Sequence, residues 1–166
     1  MDLTGATYFF TLAGLSMAFL GFTAIVVVLH QSSGTPLSPF QILITKLFTE
    51  LGLMATAFSM LAPTLALLDI EEAHVWRIAS LIMLLFLVPW LVRYPFRRRI
   101  AAPDQKWPLR GYVLNAVGAV VVIALCINVL DAPVSSNPAP LAFATVFVLS
   151  YAAVSFFWTY AIFVHE

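Results

Sequence analysis

Apolar residues come in five long runs along this chain, separated by short polar stretches. The pattern predicts five membrane-spanning helices at about 7–29, 41–68, 75–94, 112–130 and 141–164. Each run meets the length of about 20 apolar residues that a helix needs to cross a bilayer. The separators carry turn chemistry. His30 to Pro39 is rich in Ser, Gly and Pro, Asp69 to His74 is short and acidic, and Asp131 to Pro140 is proline-rich. The longest polar connection lies between Arg97 and Arg110. The expected fold class is an all-α integral membrane protein, a bundle of five transmembrane helices forming one domain over 1–166. The opening residues lack a basic segment of the signal-peptide kind, so the first run is expected to stay as a membrane helix.

A finer periodicity lies inside two of the runs. Thr45, Thr49, Gly52, Thr56, Ser59 and Pro63 recur at alternating steps of four and three, as do Thr7, Thr11, Gly14, Ala18 and Gly21. That spacing keeps one narrow helix face toward a neighbour. Small residues allow close helix approach in lipid, and hydroxyls can bond across the contact. The two seams are therefore expected to pack the first two spans together, with Gly14, Ala18, Gly21 and Gly52 at the contact. A hydroxyl-lined pore through Thr49, Thr56 and Ser59 is the competing reading. Gly111 and Gly118, which share a face with Asn115, form a second expected packing patch.

Charge inside a span is expensive, about 2.5–3.5 kcal/mol at the bilayer centre, so Lys46 and Glu50 stand out. Four residues apart, they share a helix face and form an expected ion pair near the membrane surface. The alternative places Glu50 on an aqueous path or substrate site. Glu50 lies about 140° around the helix from Thr45, so it points away from the seam.

Composition closes off the soluble classes. The chain is 62% hydrophobic and 10% charged, against about 25% charged in ordinary soluble domains. Six of the eight basic residues, Arg93, Arg97, Arg98, Arg99, Lys106 and Arg110, flank one connection. Basic loops stay in the cytoplasm, which predicts the N-terminus outside and the C-terminus inside. The expected location is the cell membrane, inner or plasma, as a multi-pass protein. Arg97, Arg98 and Arg99 are expected at anionic lipid headgroups. Nucleic acid is not an expected partner, because no aromatic platform accompanies the basic cluster.

With that orientation, Glu50, Lys46, Arg93, Asn115 and Tyr160 fall at similar depth and are expected to gather as one polar cluster or pore mouth. No enzyme signature is present, and the chain is expected not to be an enzyme: no phosphate loop, paired carboxylates or metal-ligand cluster is found. His30, His74 and His165 lie at span ends and the single Cys126 lies within a run, so no cofactor, metal or disulfide is expected. The function these features favour is a homo-oligomeric ion channel or small-solute permeation protein with Glu50 near its cytoplasmic mouth, because acidic rings select cations. The alternatives are a non-conducting scaffold or accessory subunit, and an intramembrane enzyme or redox subunit.

Overall fold

A computed structural model of the chain describes residue 3 and residues 5–32, 38–103, 108–130 and 137–165, with 159–165 described by backbone. It contains five helices: α1 (Ala6–Ser32), α2 (Pro39–Ala66), α3 (Glu72–Ala101), α4 (Leu109–Leu130) and α5 (Pro138–His165). All five are long and apolar enough to cross a membrane.

The helix starts follow from local chemistry. Ser38 caps α2: its Oγ accepts from the Gln41 N–H at 3.2 Å, and the Gln41 side chain accepts from the Ser38 N–H at 2.7 Å. This reciprocal box satisfies donors that a helix start leaves orphaned, and Pro39 fits the first turn because its missing N–H would have no partner there. α3 differs most from expectation. It begins three residues before the predicted run and continues seven residues past it, through Pro95 and the three consecutive arginines. At 1.5 Å per residue, its 30 residues reach about 45 Å, well beyond a hydrocarbon core of about 30 Å. Arg98 and Arg99 occupy the last turn, where cations complement the helix dipole.

α5 packs against each of the other four helices, while α2 packs along α1, α3 and α5. α4 packs on α3 and α5. The centre is filled: Leu51 and Ala55 of α2, Met83 and Leu87 of α3, Leu125 of α4, and Val148 and Ala152 of α5 are all essentially inaccessible. Aromatic edges lock the helices together, with Phe156 of α5 meeting Phe19 and Phe22 of α1 and Phe48 of α2. Near the acidic end, Phe9 of α1 stacks on Trp76 of α3 at 5.6 Å.

The two predicted seams behave differently. Gly52 is buried and close to α1, where Leu20 takes the space a side chain would need. The α1 seam does not answer it. Thr7, Thr11, Gly14, Ala18 and Gly21 are all exposed, and a Cβ on Gly14 or Gly21 would touch nothing. α1 instead buries Phe9, Leu12, Ala13, Ser16 and Thr23, which recur at the same heptad-like spacing about 200° away. Both faces have the periodicity. Leu20 fits the notch at Gly52, which another glycine face would leave empty. The hydroxyls do not bond across helices either. Thr49, Thr56 and Ser59 donate to the carbonyls of Thr45, Gly52 and Ala55 on their own helix. On α4, Gly111 and Gly118 are buried, Gly118 lying between Leu91 of α3 and Phe147 of α5.

Candidate functional site: the α2–α3 groove

Glu50 leaves the α2 seam and projects onto α3. Its carboxylate accepts from Arg97 Nη1 at 3.2 and 3.1 Å, and from Trp90 Nε1 at 3.3 Å. The expected pair with Lys46 is not formed. Lys46 is exposed, and the ion-pair partner of Glu50 among the described residues is Arg97. The reason is the length of α3. Because the helix runs on past Pro95, Trp90, Arg93 and Arg97 sit at steps of three and four and share one face. That face reaches Glu50 from across the helix interface. A flexible lysine on the same helix, in the weaker Lys-before-Glu order, does not compete with a planar guanidinium placed there.

The ion pair closes one end of a half-open groove of about 560 Å³ between α2 and α3. Arg93, Arg97, Glu50 and the Trp90 and Tyr94 rings line its polar end, with Leu43 and Leu47 of α2 beside them. Leu53, Met54, Leu85, Phe86 and Pro89 continue it as an apolar trough. Pro89 has no N–H, so it cannot donate to the Leu85 carbonyl one turn back, and both residues lie in the groove wall. The indole is held in place from behind. Trp90 stacks on Tyr94 with ring centroids 5.7 Å apart and 6° between planes, and meets Tyr151 of α5 edge-on at 5.4 Å.

The pair itself is accessible at the bundle surface: the Arg97 and Glu50 side chains are 49% and 39% exposed. Where water reaches such a pair, it contributes about 0–1 kcal/mol. Only one guanidinium nitrogen of Arg97 reaches the carboxylate, leaving the fork incomplete. Arg93, exposed at the same end, has no hydrogen bond or ion pair among the described residues.

Asn115 does not join this groove. It is half-buried on α4, a helix that packs on α3 and α5 rather than α2. The side chain of Tyr160 lies outside the described residues. Among the described side chains, the polar groups that line the groove together include Glu50, Trp90, Arg93 and Arg97. The three consecutive arginines also separate, because successive residues turn about 100°. Arg97 meets Glu50 and Arg99 is exposed. Arg98 is turned inward, 7% exposed, with its guanidinium 5.4 Å from the Phe40 ring centroid. Burial removes Arg98 from the residues available to lipid headgroups.

A second polar arrangement sits at the opposite end. Asn128 of α4 is 3% exposed and donates to Ser80 Oγ at 2.8 Å and to the Asn137 carbonyl at 3.2 Å. Its own carbonyl accepts from the Asn137 N–H at 3.0 Å. This clamp ties α3, α4 and the start of α5. It is fully used internally and reads as structural glue.

The five apolar helices and their packing are those of a small multi-span helical membrane protein. Comparison with protein-family models, with curated proteins and with solved structures finds no match to this chain, so the site is read from its own geometry.

Proposed function

We propose that this protein is a non-conducting accessory membrane protein that holds an amphipathic molecule of the bilayer in the α2–α3 groove. The observation that carries this reading is the layout of the groove: guanidinium, carboxylate and indole groups at one end, and an apolar trough leading away from them. Its volume falls in the range of about 300–1,000 Å³ usual for small-molecule sites. Its apolar wall is exposed, with Leu53, Leu85 and Phe86 more than half accessible, as a site for an acyl chain requires. On this reading the chain binds and does not catalyse. The basic end, with Arg93, Arg97 and Arg99, faces the cytoplasm, in line with the clustering of basic residues there.

The test is labelling with a phospholipid that carries a photoactivatable group on its acyl chain. After detergent washing removes loosely held lipid, crosslinks should concentrate on Leu53, Leu85 and Phe86. Equally exposed apolar positions of α1, such as Phe22 and Val28, should be depleted. Filling the trough with Leu85→Trp should abolish the retained label. Uniform labelling of all exposed positions would remove the reading.

A second reading, homo-oligomeric permeation, draws on the uncovered α1 stripe of Thr7, Thr11, Gly14, Ala18 and Gly21. Small residues suit contact with another copy. Glu50 then serves as a charge near a shared mouth. Cation flux through liposomes that falls on Glu50→Gln, together with a stable oligomer, would favour this reading over the first.

A further inference from the structure

We infer that Glu50 is a resident anion occupying the place of a ligand's phosphate, and that the groove takes a monoanionic phosphodiester lipid. This rests on the groove being a ligand site. Two arginines, Arg93 and Arg97, and one carboxylate, Glu50, line its polar end, and only Arg97 pairs with the carboxylate, which leaves one positive charge uncompensated among the lining residues. A phosphatidylglycerol-type headgroup carries the one negative charge that balances it, whereas a phosphatidylcholine headgroup is net neutral. Arg93 and Arg97 lie one helical turn apart, about 5–6 Å at their Cβ atoms, a spacing at which both can reach the oxygens of one phosphate. Arg97 engages Glu50 through a single nitrogen, so its remaining N–H groups offer the fork that phosphate prefers.

The carboxylate and the phosphate then compete for Arg97. The pair is partly exposed and uses one guanidinium nitrogen, so an incoming phosphate can take over Arg97, while the Trp90 indole, held by Tyr94 and Tyr151, keeps its N–H on Glu50. Glu50 thereby sets the threshold for binding. Without a lipid it keeps Arg97 paired, and with a zwitterionic lipid nothing is gained by exchanging partners.

The experiment is native mass spectrometry of the delipidated full chain, titrated with phosphatidylglycerol or phosphatidylcholine of equal chain length. The parent should retain one phosphatidylglycerol more tightly than phosphatidylcholine. Glu50→Gln keeps an acceptor for Trp90 but removes the competing charge, and should tighten phosphatidylglycerol by about fivefold. Arg93→Gln, at an exposed position, should weaken it by about fivefold, with phosphatidylcholine unchanged. Glycerophosphoglycerol, which has the headgroup without chains, should not displace the lipid at matched concentration.

Equal retention of both lipids, with Glu50→Gln and Arg93→Gln both silent, overturns the inference while the groove remains a lipid site. No retention of either lipid that Leu85→Trp can abolish overturns the groove reading itself. Displacement by glycerophosphoglycerol assigns the site to a soluble anion and also overturns the inference. A dimer that forms in place of the lipid complex and dissolves on Leu85→Trp assigns the groove to a second copy, with the same result.

Discussion

Leu20 of α1 lies over Gly52 of α2 with no space for a side chain between them. A Cβ on residue 52 would fall 2.6 Å from Leu20 Cδ2 and 2.8 Å from Leu20 Cγ. Gly52→Ala therefore forces Leu20 out of its rotamer or the two helices apart, and should cost about 1–3 kcal/mol. Gly14→Ala and Gly21→Ala meet nothing within 4 Å. They should be neutral, or stabilising by up to about 1 kcal/mol through helix propensity. Thermal unfolding in detergent compares the three. A Gly52→Ala variant as stable as the parent would contradict the close contact, and a loss on Gly14→Ala would mean that another copy covers the α1 stripe.

The Asn128 clamp should behave as a coupled unit. Asn128→Ala leaves the Asn137 N–H and the Ser80 hydroxyl without their buried partner, which costs about 1–3 kcal/mol. Ser80→Ala removes one arm and should cost less. A double-mutant cycle in detergent should give a coupling of about 0.6 kcal/mol, the average for hydrogen bonds between membrane helices, and no more than about 1.7 kcal/mol. Strict additivity would show that the 2.8 Å contact carries no energy.

Neighbouring arginines should differ in their tolerance of lysine. Arg98 is buried against the Phe40 ring, and a lysine there loses the planar stack. Arg98→Lys should cost about 0.5–2 kcal/mol. Arg99→Lys, at an exposed position, should be silent. The same unfolding measurement decides, and equal effects at both positions would show that Arg98 gains nothing from its burial.

Orientation is testable without purification. Reporter fusions at Ser33, Glu72, Gln105 and Asn137 should read inside, outside, inside, outside if the basic residues around 93–110 stay in the cytoplasm. An outside reading at Gln105 reverses the orientation and moves the groove's charged end to the opposite leaflet.

The number of helices and their approximate limits are legible in the sequence, because each must satisfy its backbone internally and present an apolar surface over the bilayer's thickness. The exceptional status of Glu50 is legible too, since a carboxylate so placed needs a partner. The partner was not. Hydropathy ends α3 near Tyr94, yet the helix continues, because backbone hydrogen bonding does not stop where hydrophobicity stops. That extension brings Arg97 to Glu50 and leaves Lys46 exposed. Trp90, three residues before Arg93 and seven before Arg97, was a readable signal once the helix is continued through the arginines.

The α1 face could not be chosen from periodicity. Two stripes share the heptad spacing, and lipid supplies no hydrophobic preference for burying either. The choice between them came from shape, the fit of Leu20 into the notch at Gly52. In the same way, the sequence sets Arg97, Arg98 and Arg99 together at the polar end of one apolar run. Only the packing of α3 against α2 decided that the first meets a carboxylate, the second an aromatic ring and the third an open surface, because residues adjacent in a helix point about 100° apart and meet whatever neighbour lies in that direction.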